Sequence, residues 1–505
     1  MRRLLPALLP ALVLLGACGR GGDTPARPNI ILISIDTLRA DHLSCYGYPR
    51  PTSPNIDRLA REGTLFTRAY ASSSWTIPSH MTMFTSLSPS LHGVDDVGKR
   101  LDPARITLAQ RLRDSGYQTA AFVSGPTMHA AFGFDHGFDR YENTTTFGDE
   151  DFTRGDATRP TAATRQRSHQ EVTSPVVAER VEHWIDADAR PPFFLFVHFW
   201  DPHYDYIPPP PYDTRFDPSW KGDFDFSNVE FNTAISPDMP ARAFKHLVSL
   251  YDGEIAFTDA AVGRLIAALE QRGWLDGTLV ALTADHGEEF FDHGNKGHMM
   301  TLFEEVLHVP LIFRMPSAVR AGRRSDAIFG SVNLMPTLLG VAGIGAGPEA
   351  VGRNLSAHLA GEDAPAGLWA FAELSLRRKF PLYAARLADR KYLAEVTAKS
   401  PLAMDVSYYG LSSDPEEQHP RPATDDAGHQ FDEHLRVHLA EMDTVRAGLP
   451  KGKDGTAELS EETKRQLRAL GYLRDDGRRR RASRSTPASA ARAGRMRPRL
   501  GTPKR

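Results

Sequence analysis

The sequence has little cysteine, few long apolar runs and, over most of its length, no excess of basic residues. Only two cysteines occur among 505 residues, which excludes a small fold held together by several disulfides. Hydrophobic residues make up 41% of the chain and charged residues 24%, which excludes collagen, wholesale disorder and a multi-span membrane protein. A chain of this length and composition can bury one large core or two.

The basic residues are unevenly distributed. The 60 lysines and arginines nearly balance 63 aspartates and glutamates, but residues 477–505 hold 11 basic residues and no acidic one. The rest of the chain therefore carries 49 basic against 63 acidic residues, and it should repel polyphosphates. We expect no specific nucleic-acid partner, and we expect the basic tail, residues 476–505, to be a disordered, solvated end.

The N-terminal residues have the pattern of an export signal. Two arginines precede a short apolar segment, Leu4–Leu15, which contains two prolines and is too short to span a bilayer by itself. It ends in Leu15-Gly16-Ala17-Cys18, and the whole resembles a bacterial lipoprotein signal. We therefore expect a signal peptide over 1–17, lipidation at Cys18, a tether over 18–27, and a membrane-anchored lipoprotein of the bacterial cell envelope that faces the periplasm or the outside.

Strand and helix patterns alternate over residues 28–355, which predicts an α/β fold with a largely parallel central sheet flanked by helices. The apolar runs are Asn29–Ile35, Phe193–Trp200, Thr278–Ala284 and Val309–Met315, and the helical patterns cover 54–62, 106–115, 176–187, 243–272 and 332–342. Residues 143–173 and 201–240 have the composition of long loops. Shorter alternating pieces after about residue 355 predict a small C-terminal antiparallel subdomain over 356–475.

Carboxylates follow two of the predicted strands. Asp36 comes directly after the first strand, and Asp285 and His286 follow the third. Because ligands gather at the carboxyl ends of parallel strands, this set fits a divalent-metal site with two oxygen ligands and one nitrogen ligand. A hydroxyl of the segment 73–79 precedes a helix-compatible stretch. It either caps that helix or lies where the helix N-terminus favours an alkoxide and an incoming oxyanion.

Several longer segments occur in the order and spacing of a known family. They are Pro28–Asp41, Thr52–Ala60, Asp201–His203, Ala284–Glu288, Thr301–Glu305, Val309–Ile312 and the closing Leu459–Tyr472. Together they resemble the sulfatase family of the alkaline phosphatase superfamily over most of residues 28–475. The resemblance implies an alkaline phosphatase-like fold, a catalytic domain over 28–355, and hydrolysis of sulfate or phosphate esters.

The resemblance also implies a metal-bridged nucleophile. One divalent metal would be held by Asp36, Asp285, His286 and Thr76, and Thr76 would attack the substrate. Histidine among the ligands favours zinc or manganese, with calcium as the alternative.

Further residues are implied to surround the scissile group. His203 and His298 would flank it, either His203 or His298 would protonate the leaving oxygen, and Lys296 would add a positive charge for the oxyanion. We interpret His80 and His92 as structural residues.

The sequence departs from the family pattern at the nucleophile. Active sulfatases carry Cys or Ser in a C/S-x-P-x-R motif that is oxidised to formylglycine, whereas this chain has Thr76-Ile77-Pro78-Ser79-His80. Oxidised threonine would be a ketone rather than an aldehyde, so we do not expect formylglycine chemistry. Thr37 occupies a position where typical sulfatases have a second aspartate. Ser124-Gly125-Pro126 lacks the lysine and histidine of the Gly-Lys-x-His element that those sulfatases have. The remaining set resembles the phosphoryl-transferring branch, in which a threonine is the nucleophile.

The leading hypothesis is a lipid-anchored, metal-dependent hydrolase of sulfate or phosphate/phosphonate esters that forms a covalent Thr76 intermediate. One alternative is a transferase that moves a phospho-alcohol group onto a cell-envelope lipid or glycan. The other is a non-catalytic lipoprotein that binds sulfated or phosphorylated glycans. The sequence does not identify the substrate, because specificity would lie in the two long loops.

Overall fold

The computed structural model describes residues 27–144, 173–203, 205–399, 402–422, 426–450, 452 and 455–473. The strands are β1 (Asn29–Ile35), β2 (Thr64–Tyr70), β3 (Lys99–Arg100), β4 (Gln118–Val123), β5 (Arg140–Asn143), β6 (Phe193–Phe199), β7 (Thr278–Ala284), β8 (Glu289–Phe290), β9 (Lys296–Gly297), β10 (His308–Val309), β11 (Leu311–Arg314), β12 (Arg323–Gly330), β13 (Ala370–Leu374), β14 (Leu382–Arg386), β15 (Arg390–Lys399), β16 (Leu402–Gly410), β17 (Arg421–Pro422) and β18 (Gly455–Thr456). The helices are α1 (Pro54–Glu62), α2 (Thr76–Thr85), α3 (Pro89–His92), α4 (Leu108–Asp114), α5 (Ser174–Ala187), α6 (Tyr212–Arg215), α7 (Ala241–Gln271), α8 (Glu304–Leu307), α9 (Leu334–Val341), α10 (Ser356–Ala360), α11 (Asp426–Gly448) and α12 (Glu461–Ala469).

The central sheet is mixed but mostly parallel. Its strand order is β10-β2-β11-β7-β1-β6-β4-β5, with β12 on the other side of β2. Strands β7, β1, β6, β4 and β5 run parallel to one another, whereas β11 is antiparallel to both β7 and β2. The predicted α/β fold with a largely parallel sheet is therefore confirmed. In its register, Ile35 of β1 pairs with Ala284 of β7, so the two carboxyl ends lie side by side.

The central strands are apolar along their whole length because helices cover both faces of the sheet. All seven residues of β1, of β6 and of β7 are buried, as expected for a parallel sheet between two helical layers. Helix α1 packs against α7, and α7 also packs against α5. The predicted end of α1 at Gly63 has a packing reason: a Cβ atom there would lie 2.0 Å from the carbonyl oxygen of Phe313.

The C-terminal sheet, β13-β14-β15-β16-β17, is antiparallel throughout, as the sequence predicted. Its strands β14 and β15 are joined by a short connection. Helix α11 was not predicted; the ring of its Phe431 stacks on Tyr392 of β15 with centroids 3.8 Å apart. The proposed domain boundaries at residues 355 and 475 stay predictions.

Parts of the sequence predictions fall outside the described residues. The signal peptide, Cys18, most of the tether, the basic tail and most of the loop 143–173 lie there. In the part of the chain that the structure does describe, no helix combines the length and the apolar character needed to cross a membrane. Within the second predicted loop, 201–240, the described helix is the single turn α6.

Candidate active site

The candidate site begins where β1 and β7 end. Asp36 follows β1, and its backbone N–H donates to the carbonyl of Phe199 at the end of β6 at 2.9 Å. Asp285 follows β7, and its Oδ1 accepts the N–H groups of Thr37 at 3.3 Å and of His286 at 3.0 Å. Strand pairing thus brings Asp36 and Asp285 together, and both are fully buried.

Thr76 is the first residue of α2, the helix that follows β2. The preceding loop is fixed by the C-terminal sheet, because Ser73 Oγ donates to the Glu373 carbonyl at 2.8 Å and the Glu373 N–H donates to Ser72 at 2.8 Å. Helix α2 is buried along its whole length. The Thr76 hydroxyl is therefore held at the N-terminus of a helix that packs inside the protein, where the helix dipole favours negative charge.

The ligand atoms of the site converge without being paired to one another. The Nε2 atom of His286 lies 3.4 Å from Asp285 Oδ2 and 3.7 Å from Asp36 Oδ1. His286 Nδ1 lies 2.8 Å from the Gly287 carbonyl, to which it must donate, so the neutral ring presents a lone pair on Nε2. Within the described residues, both Asp36 oxygens, Asp285 Oδ2, His286 Nε2 and Thr76 Oγ1 have no hydrogen-bond partner.

Orphaned buried oxygens and nitrogens of this kind fit a divalent cation. One ligand atom from each of Asp36, Asp285 and His286 lies within 4.8 Å of the others, and unpaired buried polar atoms are otherwise costly. The donor set of carboxylates, one imidazole and one hydroxyl suits zinc or manganese.

The electrostatics of the site also call for positive charge. Burial raises the pKa of Asp36 to about 7, against the opposing effects of His286 and the neighbouring Thr76 side chain. Burial and the charge of Asp36 raise the pKa of Asp285. Burial likewise raises the pKa of Glu288 to about 8. A bound cation would lower all three values and so favour the carboxylate forms.

His298 and His203 lie beside this cluster and are buried. The hairpin β8–β9 carries His298, whose Nδ1 lies 2.9 Å from Glu288 Oε1. The His298 ring centroid is 4.6 Å from that of His286 and 5.1 Å from that of His203. His203 stacks on Trp200 with ring centroids 3.9 Å apart. The structure thus brings both sequence-predicted histidines to the site.

Lys296, the predicted oxyanion contact, has other partners. Its ammonium group donates to the carbonyls of Asn232 at 2.6 Å and Ile235 at 2.8 Å. It therefore ties β9 to the end of the loop 201–240, and its role toward substrate stays a prediction.

The two histidines interpreted as structural have paired rings. His80 Nδ1 donates to the Thr76 carbonyl at 3.0 Å, and its Nε2 lies 2.9 Å from Ser34 Oγ. His92 Nδ1 accepts the N–H of Val94 at 3.0 Å. These contacts agree with the interpretation. The hydrogen bond from His80 to the Thr76 carbonyl also fixes the first turn of α2.

Two residues near the site were missed in the sequence. His198 lies in β6, donates from Nδ1 to the Ser124 carbonyl at 2.9 Å, and presents its unpaired Nε2 to Asp36 Oδ2 at 3.5 Å. A single histidine inside an otherwise apolar buried strand was the available signal. Tyr472, from the end of the described chain, brings its hydroxyl to His298 and His203; no local pattern marked it as a site residue.

Comparison with known proteins places this site in a family. The sulfatase family model matches residues 28–344, which is more than half of the chain. The chain belongs to the sulfatase family. Sulfatases are generally metal-dependent, and the family makes this protein an ester hydrolase, as the sequence predicted.

Individual sulfatase relatives have low sequence identity to the chain but align with about two thirds of it or more. The chain is 24% identical over 439 residues to an N-acetylglucosamine-6-O-sulfatase of Bacteroides thetaiotaomicron, covering 72% of this chain and 76% of the relative. It is 25% identical over 415 residues to human iduronate 2-sulfatase, covering 67% and 73%.

Solved structures share the fold. A protein solved with its substrate D-glucosamine-2-N,6-O-disulfate superposes with a TM-score of 0.67 at 20% identity, covering 84% of this chain and 98% of that one. The phosphonate monoester hydrolase of Agrobacterium radiobacter superposes with a TM-score of 0.65 at 25% identity, covering 83% and 96%.

Proposed function

We propose that this sulfatase-family protein hydrolyses sulfate or phosphate/phosphonate monoesters with Thr76 as the nucleophile. The observation that carries the proposal is the buried, unpaired Thr76 hydroxyl at the start of α2, beside the unpaired ligand atoms of Asp36, Asp285 and His286. The sulfatase relatives support sulfate esters, and the phosphonate monoester hydrolase structure supports phosphorus esters as well.

A divalent metal would be held by Asp36, Asp285, His286 and Thr76. When bound, it supplies positive charge that lowers the pKa of the Thr76 hydroxyl and offsets the charge of the transferring group. We propose zinc or manganese, since the set includes an imidazole ligand, with calcium as the alternative.

The chain's own residues account for the remaining steps. Thr76, having released its proton to solvent, attacks the sulfur or phosphorus centre, and the bond to the ester oxygen breaks. The N-terminus of α2 favours the equatorial oxygens. Water then attacks the covalent Thr76 ester and gives up a proton, which releases sulfate or phosphate and regenerates Thr76.

His203 is the better candidate for the proton donor to the leaving oxygen. Burial, with the charges of His286 and Arg377, lowers the pKa of His298 well below its usual range, so its ring is neutral. With a bound cation keeping Glu288 ionised, the His298 Nδ1–H would donate to that carboxylate and His298 Nε2 would accept. His203 therefore protonates the leaving oxygen and afterwards takes the proton of the attacking water.

The experiment that tests the proposal is turnover by the full-length protein with one equivalent of metal. Aryl sulfate, phosphate monoester, phosphate diester and phosphonate esters would be compared for wild type, Thr76→Ser and Thr76→Ala. Thr76→Ser keeps an alcohol and should retain activity. Loss of one general acid, which His203→Ala measures, typically lowers the rate ~10²- to 10⁴-fold, and Thr76→Ala should lower it far more.

The outcomes separate the hypotheses. Full activity in Thr76→Ala would refute the nucleophile. Turnover that requires an added alcohol acceptor, with water ineffective, would replace hydrolysis by transfer of a phospho-alcohol group.

We also propose that the protein is anchored to the cell envelope by a lipid on Cys18. The support is the sequence pattern of residues 1–18 alone. In a bacterial host, Cys18→Ser should move the protein from the membrane fraction to the soluble fraction, and an unchanged distribution would refute the anchor.

A further inference from the structure

The segment that follows α12 contributes a side chain to the candidate active site. Tyr472 is 3% exposed, and its hydroxyl lies 3.0 Å from His298 Nε2 and 3.2 Å from His203 Nε2. Its ring also approaches Trp75, the residue before the nucleophile, with ring centroids 6.3 Å apart. The phenol thus lies where both histidines point. It falls outside residues 28–344, which the family model matches.

The Tyr472 hydroxyl bridges the two histidines. A phenol hydroxyl donates one proton and can accept another, so it donates to one of the two Nε2 atoms and accepts from the other. One imidazole is thereby held as a donor and the other as an acceptor.

The segment that carries Tyr472 is firmly packed. Helix α12 buries Leu467, and both Leu470 and Tyr472 belong to the main hydrophobic core. Gly471 has a φ of +77°, and a Cβ atom on it would lie 1.9 Å from Glu230 Oε1. The guanidinium of Arg377 donates to the Gly471 carbonyl. Such packing is typical of a fixed wall of a site rather than of a plug that leaves when substrate binds.

We infer that Tyr472 is a positioning residue of the active site. Its hydroxyl donates to one of the imidazoles of His203 and His298 and accepts from the other, and so fixes both rings beside the group that is transferred from substrate to Thr76. This inference rests on the proposed function. It assigns the C-terminal segment a part in the protonation of the leaving oxygen.

The test is Tyr472→Phe in the full-length, metal-loaded protein, with a series of aryl and alkyl esters whose leaving groups span a wide range of pKa. A 4-nitrophenolate leaves without a proton, so its kcat/KM should fall by less than about threefold. Esters of basic alcohols need a proton donor, and their kcat/KM should fall by at least about tenfold. The loss should lie in kcat rather than in KM.

Two controls make the result specific. Tyr117→Phe removes another buried hydroxyl, one with no partner among the described residues, near the amino end of β4 and away from the site; it should leave every ester unaffected. Thr76→Ala checks that the measured turnover is that of the proposed site. If Thr76→Ala is fully active, the proposed function fails and the Tyr472 result has no bearing on this site.

If turnover depends on Thr76, two results would overturn the role of Tyr472. A loss that is equal for good and poor leaving groups would mean that the hydroxyl only stabilises the structure. Faster turnover in Tyr472→Phe would mean that the hydroxyl obstructs the substrate. Melting temperature and bound metal, measured on the same samples, should match wild type.

Discussion

Glu373→Gln should make the protein more stable at alkaline pH. Glu373 lies in β13 and is 2% exposed. Its Oε2 accepts the N–H of Ser90 at 3.0 Å and its Oε1 the hydroxyl of Ser90 at 3.0 Å. Burial nevertheless raises its pKa to about 7, because these two contacts do not replace the water that an ionised carboxylate loses.

The magnitude follows from linkage. The pKa of Glu373 rises from 4.5 to about 7 on folding, so the native state binds the proton more tightly than the unfolded state. Its contribution to stability is complete below pH 4.5 and is lost as the pH rises through about 7. At about 1.4 kcal/mol per pKa unit, the loss is roughly 3 kcal/mol. Glutamine does not titrate, so the free energy of unfolding of Glu373→Gln minus that of wild type should grow by this amount between acid and alkaline pH.

Urea unfolding, followed by tryptophan fluorescence in a chelating buffer, measures this difference at each pH. Other buried acids titrate equally in both proteins and cancel. Glu362→Gln, at an exposed position, is the matched control and should give a difference near zero throughout. A Glu373→Gln difference that stays constant from acid to alkaline pH would refute the assignment of a raised pKa to this carboxyl group.

Three further changes have expected outcomes. Asp36→Asn should reduce bound metal from about one equivalent to well below it, as measured by elemental analysis. Because burial raises the pKa of Asp36 to about 7, the same change should raise the melting temperature of the metal-free protein at pH 8. Lys296→Met should cost about 1–3 kcal/mol in urea unfolding, because two carbonyls lose their donor, and should leave metal content unchanged. Gly63→Ala should cost about 2 kcal/mol or more, since its Cβ atom would meet the Phe313 carbonyl, whereas Gly277→Ala, with no atom within 4 Å, should be close to neutral.

The parts of the fold that sequence reasoning predicted are those with a local cause. Strands β1 and β7 are fully buried and therefore nearly all apolar, and this composition alone predicts core strands. Because ligands gather at the carboxyl ends of parallel strands, Asp36 and Asp285 were predicted to share one site. The pairing of Ile35 with Ala284 confirms that their strands are neighbours.

The missed elements are those whose local pattern is ambiguous. Strand β12 begins with Arg323-Arg324, and among its first five residues only Ser325 is buried, so its composition resembles a loop. Helix α11 has a weakly segregated apolar face, and much of its surface is exposed. Their positions depend on partners that are distant in the chain, β2 for β12 and the C-terminal sheet for α11.

The two site residues that were not predicted also owe their positions to contacts between distant parts of the chain. His198 and Tyr472 lie at the site only because β6 pairs with β1 and because the segment after α12 brings the Tyr472 hydroxyl to His298. The C-terminal sheet also fixes the loop before Thr76, since the backbone of Glu373 bonds to Ser72 and Ser73. Two structures outside the matched residues 28–344 therefore contact the loop and the histidines of the site. We therefore expect changes that loosen the C-terminal sheet or the segment after α12 to reduce turnover even where Asp36, Asp285 and His286 are untouched, because these elements contact the loop before Thr76 and the two histidines.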